Sequence, residues 1–254
     1  MHKKKILVAL FFILLLVINE TLAFAITPKD LLNRVNERAK DVKDSVVDIR
    51  MSMSLTGMSS GSGQSGTTSL VYRMKIESII NPPVVRMTYI EPDTFKGTVM
   101  LVDTEKKLMS VYSPVTNQVV QSKMEDSQTS TLNINTADPT SMLQDLEKTY
   151  DLAVEEKKID KKDAYVLTAT LKPNQKGDFS KGIFYFEKDT LNPIKVELFD
   201  TKGQPMATIE ILSIKYNAGL KAATLRSFPK DAKIVKGGTM QGTPGLPFGT
   251  QSNK

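Results

Sequence analysis

From Val47 to Leu55 the chain alternates without a break: Val47, Ile49, Met51, Met53 and Leu55 are apolar, while Asp48, Arg50, Ser52 and Ser54 are polar. A two-residue period sends successive side chains to opposite faces of an extended strand, so one face of this segment must meet a core and the other water. Leu70, Tyr72, Met74 and Ile76 repeat the pattern against Arg73 and Lys75. Between the two lies a Gly-, Ser- and Thr-rich stretch, Gly57 to Ser69, predicted to be a flexible loop. Further strands are predicted over Val84–Ile90, Thr98–Val102, Lys107–Tyr112 and Gln118–Ser122. A second series follows at Tyr150–Glu156, Ala164–Leu171, Gly182–Glu187, Ile194–Phe199, Ala207–Tyr216 and Ala222–Ser227. Lys188–Pro193 and Asp200–Gly203 have the composition of hairpin turns. So many short strands in succession predict a mainly β fold: one strongly curved antiparallel sheet, an open half-barrel, with a few covering helices in a single domain.

Two helices interrupt the strands. Thr27-Pro28-Lys29-Asp30 reads as a helix start, with a hydroxyl at the N-cap, proline in the first turn and an acid at the third position. Leu31, Leu32, Val35, Ala39 and Val42 follow at helical spacing, which predicts one apolar stripe lying against the sheet. Asp138-Pro139 is expected to cap a shorter helix carrying Met142, Leu143 and Leu146.

The amino-terminal segment reads as an export signal. Lys3, Lys4 and Lys5 precede an apolar run from Ile6 to Ile18, and Ala23-Phe24-Ala25 puts small residues where a signal peptidase reads them. That run is about 13 residues, short of the roughly 20 needed to span a bilayer. Residues 1–25 are therefore expected to be removed after Ala25, the alternative being a retained anchor. The expected location is periplasmic, or extracytoplasmic more generally. Residues 26–236 form the expected domain, and 237–254, rich in Gly, Pro, Thr and Gln, an expected disordered tail.

Beyond Ala25 the sequence contains no histidine, cysteine or tryptophan, the one histidine being His2. Neutral-pH proton shuttles, thiolate nucleophiles and transition-metal sites depend largely on the first two. Gly57-Met58-Ser59-Ser60-Gly61 matches a serine nucleophile elbow, but that motif needs a strand–turn–helix context and a histidine base. Gly61-Ser62-Gly63-Gln64-Ser65-Gly66 matches a dinucleotide fingerprint, but a strand follows where a helix is required. Ser227-Phe228-Pro229-Lys230 fits a Ser–Lys pairing, with Pro229 opposing the helical turn it needs. Glu155 and Glu156 point to opposite faces of a strand, and Asp160 and Asp163 sit among lysines in a hairpin loop. The expectation is a protein that is no enzyme and takes no cofactor or metal. Lys3, Lys4, Lys5 and Glu20 contribute +2 of the formal +6, and the remaining excess of about +4 is mild and dispersed, which is weak support for nucleic acid as a partner, and none is expected.

Soft apolar side chains remain. All of the 12 methionines but Met1 lie beyond the signal, and Met51, Met53, Met74, Met87, Met100 and Met109 fall on predicted strands. Methionine fills cores, and it also lines surfaces that adapt to ligands of variable shape. Tyr72, Tyr89 and Tyr112 are either an amphipathic rim or core residues.

The order of elements resembles the LolA-like family of periplasmic outer-membrane lipoprotein carriers. Asn81-Pro82-Pro83-Val84-Val85-Arg86-Met87-Thr88-Tyr89-Ile90-Glu91-Pro92 is similar to that family's strand with a proline at each end. Leu108 to Gln118 resembles its W-x-Y-x-P…Q stretch, with Tyr112, Pro114 and Gln118 matching. Leu191-Asn192-Pro193 with Asp200-Thr201-Lys202-Gly203 resembles its late hairpins, and Phe228-Pro229-Lys230-Asp231-Ala232 its closing segment. The likeness runs from Thr27 to Val235. Asn81 stands where the best-known carriers hold a lid-latching arginine, and Met87 and Met109 stand at or near the family's tryptophans. Arg86 is either a substitute for that arginine or an exposed strand residue.

The resemblance implies an exported monomeric carrier that holds the acyl chains of a lipoprotein or lipid in an apolar cavity. It would exchange them with transient membrane-associated donor and acceptor proteins. An envelope lipid or lipoprotein sensor of the same fold is the alternative, and a structural envelope protein with a fully packed interior is a third reading. By strand parity the cavity wall is expected at Met51, Met53, Leu55, Tyr72, Met74, Met87 and Tyr89, and the lid at Leu31, Leu32 and Val35.

Overall fold

The computed structural model describes residues 26–55, 68–124, 143 and 146–237. The expected signal, most of the Gly/Ser loop with its two rejected motifs, the Asp138-Pro139 helix start and the tail from residue 238 lie outside the described residues.

Helix α1, Pro28–Ala39, begins as its sequence dictates: the Thr27 hydroxyl accepts from the Asp30 backbone N–H at 3.1 Å and donates to the Asp30 carboxylate at 2.7 Å. It ends at Ala39, so Val42 is buried in the connection to the sheet rather than on the helix. The strands are β1 (Asp44–Leu55), β2 (Thr68–Ile79), β3 (Val84–Glu91), β4 (Val99–Asp103), β5 (Leu108–Ser113) and β6 (Gln118–Lys123), followed by a helical turn α2 (Leu146–Thr149). Then come β7 (Tyr150–Ile159), β8 (Lys162–Leu171), β9 (Lys181–Glu187), β10 (Pro193–Phe199) and β11 (Pro205–Tyr216), a second turn α3 (Ala222–Leu225), and β12 (Lys233–Lys236).

The twelve strands among the described residues form one sheet in the order β12-β6-β5-β4-β3-β2-β1-β11-β10-β9-β8-β7. It is large, curved and unclosed, with three helices among the described residues and a single domain, as the strand pattern led us to expect. Neighbours pair antiparallel except β12, which runs parallel to β6. Successive hairpins build each half outward, and the β1–β11 pairing joins the halves at the centre. The late turns form as read: the Glu187 N–H donates to Asn192 O at 2.9 Å, and Asp200 N–H to Gln204 O at 2.9 Å. The β7–β8 hairpin turns on Asp160 and Lys161, both with positive φ, as a two-residue connection between twisted strands requires.

Two further sequence expectations need correction. Ala222–Ser227 is no strand: residues 222–225 form the helical turn α3, which drops Leu225 into a cluster with Ile79, Val84 and Leu101 on one face of the sheet. Ala222, Ala223 and Leu225 favour a helical turn, and the burial of Leu225 fixes it. The segment is fastened at several points. The Asp44 carboxylate accepts from the N–H groups of Ala218 (2.6 Å) and Gly219 (3.2 Å), the latter at φ +77°. Arg226 donates to Asp103 at 2.6 and 3.0 Å. Second, β2 extends to Ile79, beyond its alternating core. Ser78 and Ser45, both buried, share a hydrogen bond of 2.8 Å, so the polar residues that break the apolar pattern are accommodated inside.

Covering by α3 and Phe228 also explains β4. Its five residues are all buried because this part of the sheet is packed on both faces, which a continuous apolar run such as Val99–Val102 demands.

Candidate functional site

Residues directly opposite one another on paired strands share a face, and following them across the sheet traces one apolar surface. Val154, Leu167, Phe184, Val196, Ile209, Met51 and Tyr72 are successive partners from β7 to β2. A second row runs from Ile214 through Val47, Ile76, Met87, Met100 and Val111 to Val120. Both rows contain the same parity of β1, so they lie on one face, here called inner. No charged side chain occurs in either row.

The inner face divides into clusters. Val47, Ile49, Met51, Tyr72, Met74 and Tyr89 are buried together on β1–β3, with Met53, Leu70, Ile76 and Phe95 packed against them. Six of the seven expected wall residues have described side chains, and five of them (Met51, Met53, Tyr72, Met74 and Tyr89) meet here. Met87 belongs to the adjoining cluster of Val85, Met100, Val102, Val111 and Met124, with Ile76 packed against both. The side chain of Leu55 lies outside what is described, although its backbone pairs with Thr68.

The expected lid residues lie elsewhere. Leu31, Leu32 and Val35 are buried on β7–β9, among Leu146, Tyr150, Tyr165, Leu167, Phe184 and Phe186. This is the same inner face, since Phe184 connects through Val196 and Ile209 to Met51, but a separate cluster at the far end. Periodicity gave α1 an apolar stripe; it could not say which strands the stripe would cover.

At the centre of the wall three aromatic rings meet. Tyr72 and Tyr89 are edge-to-face at 6.0 Å, and Phe95 stands 5.8 Å from Tyr72 and 6.1 Å from Tyr89. Phe95 comes from the β3–β4 connection. That loop folds back on Tyr89: Gly97, at φ +80°, donates its N–H to Tyr89 O at 2.9 Å, and Tyr89 N–H donates to Thr98 O at 2.9 Å. Phe95 is half-buried, so it covers the two buried phenols from the solvent side. Sequence reasoning missed it, because a loop residue has no periodic signal; the one hint is a phenylalanine inside a Pro-Asp-Thr…Lys-Gly turn.

Burial raises the Tyr72 phenol above its ordinary value. It pushes Tyr89 to about 12, helped by the neighbouring Tyr72. Tyr89 is 2% exposed, and its hydroxyl has no hydrogen-bond partner among the described residues. Among the described residues no group of His, Cys, Asp or Glu is arranged to hold a metal.

Arg86 is neither exposed nor on this face. It is half-buried on the outer face, donating to the carbonyls of Leu225 (2.8 Å) and Ser227 (2.7 Å), with its guanidinium 5.5 Å from the Phe228 ring. Burial lowers its pKa from the usual arginine value. It binds the C-terminal segment to β3 and is turned away from the wall, so it does not stand in for a lid latch. Asn81 is exposed at the β2–β3 turn. Ser227 donates its hydroxyl to Thr224 O at 2.7 Å.

A family model described as an uncharacterized protein matches residues 85–234, more than half of the chain. No curated protein matches it. The chain is similar in structure to an uncharacterized conserved protein from Thermus thermophilus, at 17% identity and a TM-score of 0.52 over 82% of this chain and 98% of the other, a likeness of fold. It is also similar to an outer membrane lipoprotein-sorting protein domain from Vibrio parahaemolyticus (16% identity, TM-score 0.39, 78% and 95% covered). A LolA superfamily protein from Nitrosomonas europaea matches at 14% identity, with a TM-score of 0.36 and 80% and 99% covered. The family that the motifs resemble is thus represented among the structures similar to this chain.

Proposed function

The chain belongs to this family of uncharacterized proteins, and we propose that it is an exported carrier that binds acyl chains of a lipoprotein or lipid on the inner face of its sheet. The observation that carries this reading is the uncharged apolar surface running from β7 to β6, rich in methionine and tyrosine where β1–β3 meet. Each methylene removed from water on such a surface contributes about 0.8 kcal/mol, so two or three chains bind firmly without polar recognition. Flexible methionines suit cargo of varied chain shape.

In this reading the protein binds and does not catalyse. It works outside the cytoplasm as a monomer, receiving cargo from one membrane-associated partner and yielding it to another. Helix α1 acts as the lid: displacing Leu31, Leu32 and Val35 from β7–β9 would join the far half of the inner face to the wall. Transfer of a fluorescently labelled lipoprotein between donor and acceptor membranes tests the carrier role. Transfer that rises with protein concentration supports it; tight binding without transfer would instead make the protein a sensor, and no binding would overturn both.

A further inference from the structure

The Tyr89 hydroxyl is anomalous. The β1–β3 cluster is built of aliphatic, methionine and aromatic side chains, yet this buried oxygen and its proton have been taken from water without a partner among the described residues. A hydroxyl desolvated in that way is costly to the empty protein, and a phenylalanine of the same shape would avoid the cost. Tyr72 and Phe95 pack against the Tyr89 ring, and Met51 and Met74 belong to the same cluster. Phe95, which shields it, is half-buried on a connecting loop and is not part of the sheet, so the covering group is the most easily displaced member of the trio.

We propose that Tyr89 is the polar anchor of an acyl-binding site, its hydroxyl donating to the ester or amide carbonyl of the ligand while the chain lies along the methionines of the wall. This rests on the acyl-binding reading above and adds a ligand class to it: chains that carry a carbonyl at the head, in preference to bare hydrocarbon. The phenol stays protonated throughout any physiological range, since burial pushes its pKa to about 12, so it is available as a donor. A carbonyl displacing Phe95 would give the orphan proton its acceptor and leave the remainder of the chain in contact with Tyr72, Met74 and Met51.

The test compares methyl palmitate with hexadecane, each displacing an environment-sensitive dye from the wild-type chain and from Tyr89→Phe. The expected result is that the substitution weakens methyl palmitate about five- to tenfold, the worth of one neutral hydrogen bond, and leaves hexadecane unchanged. Infrared spectra of the bound ester supply a second reading: its carbonyl stretch should be lowered in the wild type and return to the free value in Tyr89→Phe. Thermal unfolding of the empty variant, expected at or above the wild-type temperature, shows that the fold is intact. Equal affinity of wild type and variant for the ester, with an unshifted carbonyl band, overturns the anchor and leaves acyl binding standing. Failure of both probes to bind the wild type overturns acyl binding itself.

Discussion

Arg226 holds Asp103 through two hydrogen bonds of 2.6 and 3.0 Å, and that contact fastens the segment between β11 and β12 to the end of β4. The Asp103 side chain is buried, so removing its partner leaves a carboxylate with little access to water. Arg226→Ala should lower stability by about 2–4 kcal/mol, read from the urea midpoint. A change below about 0.5 kcal/mol, the usual size for a surface substitution, would mean that the other contacts of the segment, those of Arg86, Leu225 and Phe228, hold it without Arg226.

Arg86→Ala separates stability from binding. The lost donor leaves the part-buried carbonyl of Leu225 without its partner, at an expected cost of about 1–3 kcal/mol. Because Arg86 lies on the outer face, affinity for an acyl probe should not change. A marked loss of affinity in the still-folded variant would return Arg86 to the role of a latch.

Phe95→Ala should speed ligand entry. Its ring covers Tyr72 and Tyr89 from a loop, and its loss removes two aromatic contacts worth about 0.5–1.5 kcal/mol each. Stopped-flow mixing with a fluorescent fatty acyl probe should show a faster association phase than the wild type. An unchanged rate would place the entrance elsewhere on the inner face.

Alkali gives a pH signature for the buried phenol. In the unfolded chain Tyr89 ionises near 10, as tyrosines ordinarily do, while in the folded chain it waits until about 12. Between those values the unfolded state loses a proton that the folded state keeps. Stability from this group is therefore whole below pH 10 and is lost as pH rises toward 12. Tyr89→Phe should flatten the decline in urea midpoint between pH 10 and 12; an identical slope in both proteins would contradict the buried, un-ionised phenol.

Leu31→Ala tests the separation between lid and wall. Leu31 is 0% exposed in the β7–β9 cluster, and truncating it should cost about 2–5 kcal/mol. Hydrogen exchange should quicken through α1 and β7–β9 before it does so in β1–β3. Simultaneous loss of protection in both regions would mean that the two clusters act as one unit.

Much of this arrangement was legible because short-range rules decide it. Thr27, Pro28 and Asp30 set the start of α1, and the alternation of β1 and β2 put Met51, Met53, Tyr72 and Met74 on one face before any pairing was known. What escaped depends on contacts distant in sequence. Four residues are too few for Ala222–Leu225 to display a helical period, and only the outer-face pocket around Leu225 makes the turn visible. Arg86 occupies a polar position by parity, and it is half-buried because a segment about 140 residues later folds over it. Strand β12 is equally short, and it is fixed by pairing with β6. Phe95 joins the wall through the hydrogen bonds that Gly97 and Thr98 make to Tyr89, a geometry that no spacing announces.

The most direct test of the account is native mass spectrometry of the protein purified from the envelope of an expressing bacterium under detergent-free conditions. A carrier should show a population whose extra mass matches a lipid or acylated protein and which reverts to the bare chain on collisional activation. A protein that emerges wholly at its bare mass, and takes up no lipid when incubated with vesicles, would contradict it.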